Sequence, residues 1–495
     1  FNGGFTLASA EAVLDLSRFE DAWPLDAFQS LVEKSFVRQA MDDRFELLVS
    51  VQEYAREHLD TVGRYPGSGP GAVTAAEARH LGYFAGIDEQ QATAQRCVEL
   101  GNVVLACRRA VAHGDAEAAT RTLELAWAGL RLCGPFKAGV ELAALVVTMH
   151  SQPDGLLARI NHVAGRALQA VGDTTEARLR YEAALALATA AAEQGCIGRL
   201  RSNLGSLAAN AARMDEAREH FLISLEIAKA LRDLALECEV RSGLGTLNNY
   251  LGRIDEARCE YETALGIART IGDRRWEGGV LGNLGNLDVS QGRMAEARAH
   301  FEESIVVARE LGNRQWEGNA LCNLGLLHHA GGRMLEAQEK LQQSSQVARD
   351  MGHARLEAFV LCNLGIVRDA MGEPNDARNH YEAALVVARR LGDRRLEGQF
   401  LGYLGCLYAR MKRFDDARRD IDAGFELLRS ASDSFNLAVL LCGRAEMEWM
   451  SGATERARIA LSEAEDISLK IGGGPGSELA LALDRARARL EDTPN

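Results

Sequence analysis

A step of 40 residues governs most of this 495-residue chain. The pentapeptide LCNLG stands at 321–325 and again at 361–365, and its glycine belongs to a column kept without an insertion: Gly205, Gly245, Gly285, Gly325, Gly365 and Gly405. A leucine precedes each of them. A second column, Ala217, Ala257, Ala297, Ala337, Ala377, Ala417 and Ala457, has the same step. Four residues after each alanine comes a large side chain (Phe221, Tyr261, Phe301, Leu341, Tyr381, Ile421, Leu461), and three later a small one (Ser224, Ala264, Ser304, Ser344, Ala384, Gly424, Ala464). Positions i, i+4 and i+7 share one face of a helix, so small, large and small there describe a helix pressed closely on another. A mid-helix glycine costs about 1 kcal/mol against alanine, and six in register predict a close approach between helices.

The punctuation fits two helices per step. Gly272, Gly312, Gly352 and Gly392 fall where the second helix should end on a left-handed residue, and Asp233, Asp273, Asn313, Asp393 and Asp433 where the next should be N-capped. Gly252, Gly292, Gly332 and Gly372 mark a tighter turn within each pair. Aromatic residues at 6% and only 8 Pro favour helix over sheet. The length exceeds one ordinary core, so an extended array is expected.

The stretch GNLGNLDVSQGRMAEARAHFEESIVVARELGN at 282–313 resembles the tetratricopeptide repeat, with its Leu-Gly pair in one helix and small, aromatic and small residues in the next. The family's unit is shorter by about six residues, so the helices here look lengthened, as in the repeats of kinesin light chains. Eight pairs are expected over 155–472, with GDTTEARLRYEAALALA at 172–188 as an early member, and a capping helix and tail over 473–495, the helix at Ser477–Glu491. Such pairs gain stability only by stacking. The expected fold is therefore all-α: a right-handed α-solenoid with a concave groove, preceded by a small winged-helix unit.

That unit is placed at 1–62, where a helix over Leu25–Lys34, a hairpin of Phe36-Val37-Arg38 with Arg44–Leu47 about the turn Met41-Asp42-Asp43, and a further helix follow one another. The segments GGFTLASAEAVL, LVEKSFV and RFELLVSVQEYAREHL resemble the winged helix that follows the nucleotide-binding module of bacterial STAND-type signalling ATPases, many of them transcriptional regulators. ELGNVVLACRRAVAHGDAEAATRTL at 99–123 resembles the helical stretch that those proteins place next. A linker is expected at 63–75 and a helical connector at 76–154. No GxxxxGK[ST] occurs, and the glycine-rich GRYPGSGPGAVT at 63–74 has no lysine, so a nucleotide-binding domain would lie upstream in an intact parent.

Partners follow from charge and pattern. A net charge of −14 argues against nucleic acid, which needs clustered Lys and Arg, and Lys34 is the only base in the helix that would read DNA. No apolar run is long enough to cross a membrane. The ten cysteines form no CxxC pair and have no zinc-spaced histidines, so they are read as packing in a reducing cytoplasm, with no metal and no cofactor. Adjacent His328 and His329 point in different directions on a helix, Trp276 and Trp316 suit packing between repeats, and Glu237, Glu277, Glu317, Glu357 and Glu397 suit first-turn positions. No catalytic constellation stands out, and no enzyme activity is expected.

The groove is the expected site. The residue before each Leu-Gly pair reads Asn203, Gly243, Asn283, Asn323, Asn363 and Tyr403. A primary amide both donates and accepts, so Asn203, Asn283, Asn323 and Asn363 could pair with the backbone of an extended peptide, or bond within the solenoid. Asn249, Asn286, His329 and Asp369 follow three or six residues later as further groove candidates. The expected function is capture of a protein segment, peptide or small-molecule effector by the sensor arm of a STAND-type ATPase. A free-standing interaction scaffold and a DNA-contacting regulator fragment are the alternatives.

Overall fold

In the computed structural model, which describes residues 1, 4–15, 24–40, 44–65, 68–88, 98–149, 153–211, 213–431, 433–471 and 478–491, a small mixed unit leads into a long run of paired helices. The unit holds β1 (Phe5–Thr6), α1 (Leu7–Val13), α2 (Pro24–Glu33), β2 (Val37–Gln39), β3 (Arg44–Leu47) and α3 (Val49–Asp60). The strands form an antiparallel sheet in the order β1-β3-β2, with Phe5 opposite Phe45 and Val37 opposite Leu47. Strand β1 goes beyond the expected hairpin, since two residues carry no readable alternation; the turn at Met41–Asp43 lies outside the described residues. Phe28 packs edge-on to Phe5 and Phe45, at centroid distances of 5.7 and 4.4 Å, and makes a small aromatic core.

The connector is helical: α4 (Pro70–Ala85), α5 (Leu100–His113), α6 (Ala116–Cys133) and α7 (Phe136–Val147). The stretch expected as linker is helix from Pro70 onward, because proline at the first helical position needs no N–H partner. Buried Glu99 ties the first unit to this connector. Its Oε1 accepts from the Thr6 backbone N–H and the Ser9 hydroxyl, both at 2.8 Å, and Asn102 donates to the Gly4 carbonyl at 2.7 Å.

Eight pairs follow. They are α8 (Asp154–Val171) with α9 (Thr174–Ala190), α10 (Gln194–Asn210) with α11 (Met214–Leu231), and α12 (Leu234–Tyr250) with α13 (Ile254–Ile271). Next come α14 (Arg274–Ser290) with α15 (Met294–Glu310), α16 (Arg314–Ala330) with α17 (Met334–Met351), and α18 (Ala354–Ala370) with α19 (Pro374–Leu391). The last are α20 (Arg394–Arg410) with α21 (Phe414–Ser430) and α22 (Ser434–Met450) with α23 (Thr454–Ile471), and α24 (Glu478–Glu491) caps the array. Asp233, Asp273, Asn313, Asp393 and Asp433 each accept the N–H three residues on, and His353 does the same through its ring nitrogen. Gly272, Gly352 and Gly392 cap their helices in the left-handed region, with φ of 68, 65 and 64°.

Why the glycine column recurs is plain from what lies over it. A Cβ on Gly205 would stand 2.9 Å from the Phe221 ring, on Gly245 2.6 Å from Tyr261, on Gly285 2.5 Å from Phe301, and on Gly325 2.8 Å from Leu341. Each first helix is notched, and the large residue of the second helix sits in the notch, fully buried. Gly165 and Tyr181 make the same seat in the first pair. The third column closes the joint: the hydroxyls of Ser224, Ser304 and Ser344 donate to the carbonyls of Gly198, Gly278 and Gly318 at 2.7–2.8 Å.

Cys107, Cys196, Cys238, Cys322, Cys362 and Cys442 are buried packing residues, whereas Cys133 and Cys259 are exposed; Cys97 lies outside the described residues.

Gly285→Ala should destabilise the chain by about 1–3 kcal/mol through overpacking, although alanine alone favours helix by about 1 kcal/mol. Adding Phe301→Leu should recover part of the loss. A neutral or stabilising Gly285→Ala, read by denaturant unfolding, would show that the notch is not filled.

Candidate functional site

Stacked pairs rotate as they add, and here the rotation brings the chain back onto itself about five and a half pairs later. The end of α6 meets the end of α17: a Cβ on Gly134 would lie 2.9 Å from Met351, and Phe136 sits edge-on to His353 at 5.4 Å. Gly172 abuts Leu391, and a Cβ on Gly252 would overlap the Ile471 carbonyl. Arg395 reaches across to the Asn210 carbonyl at 3.3 Å and stacks over Tyr250 at 5.5 Å. Val347 and Met351 consequently share one apolar core with Trp127 and Phe136. The solenoid is a superhelix whose second turn seats on its first, and the first helices of the pairs face its lumen.

The lumen opens at this seam into a cavity of about 970 Å³. Seven arginines face it against two carboxylates, Glu239 and Asp393. Four of the arginines are held by acidic caps: Arg199 by Asp233 at 3.3 Å, Arg275 by Asp273 at 3.6 Å, Arg355 by Asp393 at 3.4 Å and Arg395 by Asp433 at 3.0 Å. Arg131, Arg166 and Arg394 complete the set. Burial, reinforced by Arg166 and Arg199, pushes His162 down to about 3, and burial with Arg355 pushes His353 to about 4. Both lining histidines are therefore neutral at pH 7. Trp276 and Trp316 pack between repeats, with Trp316 over Gly279, and they also line the cavity.

The asparagine column runs along the joint between neighbouring first helices, and each side chain uses one of its two amide hydrogens there. Asn203 Nδ2 lies 2.7 Å from His162 Nε2, Asn283 donates to Ser242 at 3.1 Å, Asn323 to Asn286 at 2.6 Å and Asn363 to Cys322 Sγ at 3.2 Å. Asn363 is buried, which corrects its placement as a groove residue: it serves the solenoid. Asn203 also lines the seam cavity, Asn249 is half-buried, and Asn286 is exposed. His329 and Asp369 come together in a second hollow of about 430 Å³ near the capping helix, where Asp369 pairs with Arg410, and Glu446 with Arg489 at 3.3 Å. His328 instead accepts from Arg333 at 2.9 Å.

The first-turn glutamates do more than complement a dipole. Glu277, Glu317 and Glu397 each take a hydrogen bond from an arginine eight residues back, Arg269, Arg309 and Arg389, at 2.7–2.9 Å, and so tie consecutive pairs together. Burial opposes ionisation of Glu277, but the bonds from Arg269 and Arg274 outweigh it and hold its carboxyl below the ordinary value.

The tetratricopeptide repeat family model matches residues 196–270, 277–350, 319–390 and 356–430. The chain carries tetratricopeptide repeats. Among solved structures these repeats are similar to the quorum sensor NprR from B. thuringiensis, 16% identical with a TM-score of 0.47 over 74% of this chain and 97% of that one. Aspartyl phosphate phosphatase F from Bacillus subtilis is 13% identical, with a TM-score of 0.46 over 76% of this chain and 95% of that one. A STAND protein with a tetratricopeptide repeat sensor from Pyrococcus horikoshii is 13% identical, with a TM-score of 0.41; 94% of this chain aligns with 60% of that one. No curated protein matches the chain. Among the described residues, no helix is long and apolar enough to cross a membrane.

The neutral histidines of the repeat lumen fix a pH dependence. Unfolded histidine takes its proton near pH 6.5, whereas folded His162 and His353 stay neutral down to about 3 and 4. The unfolded chain thus binds more protons in this window, and stability falls as pH drops below about 6.5, at up to about 1.4 kcal/mol per pH unit for each group. Melting temperature should decline between pH 7 and 5, and His162→Gln/His353→Gln should flatten the decline. An unchanged slope would contradict the burial of both rings.

Proposed function

We propose that the chain recognises a peptide segment or small effector inside the superhelical lumen, without catalysis, and acts as the sensor arm of a STAND-type signalling ATPase. The observation that carries this reading is the lumen itself: first helices from seven successive pairs face one cavity lined by amides, arginines and aromatic rings. Sites with an apolar lining and a few convergent polar groups suit ligand capture. Asn203 at the seam, the exposed Asn286 with Asn323, half-buried Asn249, and His329 with Asp369 in the second hollow are the proposed contact residues.

Transmission follows from stiffness. The pairs interlock through filled notches, and the first unit, with the layout of a small winged helix, is bolted to the connector by Glu99 and Asn102. A ligand that prefers one pitch of the superhelix would shift that unit, and with it an upstream nucleotide-binding module, by its differential affinity for the two states.

Peptides selected on the full chain from a random display library provide the test, followed by hydrogen exchange. Bound peptide should protect amides of α10, α12, α14 and α16 and leave α11, α13 and α15 unchanged. Protection confined to the outer helices would sink lumen recognition, and an effector that leaves nucleotide exchange in the intact parent unaltered would sink the sensor-arm role.

A further inference from the structure

The seam cavity is basic in a chain of net charge −14, and its charge is built from both turns of the superhelix. Arg131 and Arg166 come from the first turn, on α6 and α8; Arg394 comes from the second, at the start of α20. Arg166 and Arg394 have no carboxylate partner among the described residues. Arg199, Arg275, Arg355 and Arg395 are paired with the capping carboxylates, so Arg166 and Arg394 carry the uncompensated charge. A second, independent feature sits in the same wall. Trp127 is 4% exposed, and its indole N–H, a group that only donates, has no partner among the described residues. Buried donors are nearly always satisfied, so an acceptor belongs there. The first turns of α14, α16, α18 and α20 also end on the cavity and add their partial positive charge.

We propose that this cavity is an anion-binding site, taking a small ligand that carries carboxylate or phosphate groups on a body able to lie against Trp276, Trp316 and Phe359. This assignment rests on the reading of the lumen as the recognition face, and it supplies the ligand's charge. Guanidinium groups bind carboxylate and phosphate oxygens in paired hydrogen bonds that are stronger than neutral ones. The Trp127 N–H adds one further donor. Because Arg166 and Arg394 stand on different turns, an anion held by both pins the second turn to the first. The ligand would therefore fix the superhelical pitch as well as fill the lumen.

Sodium pyrophosphate and sodium citrate, each titrated into the full chain by calorimetry against sodium chloride at matched ionic strength, are the probes. Saturable binding of one equivalent is expected, weakened about 10–100-fold by Arg166→Gln or by Arg394→Gln, as for loss of a charge-assisted bond. Arg394 is exposed, so its replacement spares the fold, and a melting curve checks the other variant. Trp127→Phe, which removes the donor together with part of a buried ring, should weaken binding about 3–10-fold, with a melting curve to check the fold. Binding of pyrophosphate alone assigns a phosphate-bearing ligand, and binding of citrate alone a carboxylate-bearing one; either supports the site. If neither anion binds more tightly than chloride, or if affinity is unchanged in Arg166→Gln/Arg394→Gln, the proposal falls. Display-selected peptides that still protect the lumen in that case would show that recognition survives and that only its anionic character was wrong.

Discussion

Everything in this molecule hangs on one contact, a large side chain seated on a glycine. Phe221, Tyr261, Phe301 and Tyr381 are each almost fully buried, and each occupies space that a Cβ at the facing glycine would fill. Burying such a ring is worth about 1.5–3 kcal/mol, more than the roughly 1 kcal/mol that glycine costs a helix interior. The exchange is favourable in the seven pairs that carry the glycine, whereas the eighth has Ala445 in its place. It also fixes the distance and tilt between the two helices, and a constant tilt repeated down the chain gives a superhelix of constant pitch.

That pitch has a consequence that no single pair contains. After about five and a half pairs the outer ends of one turn rest on the inner ends of another, so Phe136 meets His353 and Arg395 meets Asn210. Closure turns an open concave face into a walled lumen. It also gathers arginines that lie far apart along the chain, and it puts a basic interior inside an acidic protein. The two histidines in that wall answer to the same field, since burial and neighbouring guanidinium groups both disfavour their protonation.

What could be read beforehand follows the range of the interaction. Caps and left-handed glycines are local, so Asp273, Gly272 and their equivalents were legible, as was the solenoid of helix pairs. The seat of Phe301 on Gly285 lies within one pair, and its two columns stood in the sequence. Gly165 and Tyr181 fit the same columns and could have been found by one further step backwards. The role of the asparagines was not legible, because an amide reaching a peptide and an amide reaching Cys322 or Ser242 look alike in one dimension. The seam was beyond reach altogether. Arg131, Arg166, Arg394 and Trp127 belong to different repeats, and only the accumulated tilt of several pairs decides that they share a wall. The repeated Gly-Asp-Arg-Arg at 272–275 and 392–395 was the one available hint that basic residues crowd the start of the first helices.

The contact of one turn on another is the feature that most needs direct measurement. Spin labels placed at Lys137, beside Gly134, and at Arg349, beside Met351, would report their separation by pulsed dipolar spectroscopy, with the exposed Cys133 and Cys259 replaced by serine. A single narrow distribution at the short limit of the method is the result that a closed superhelix requires. A broad distribution centred at long distance would mean that the turns do not touch, that the lumen has no wall, and that the arginines never meet.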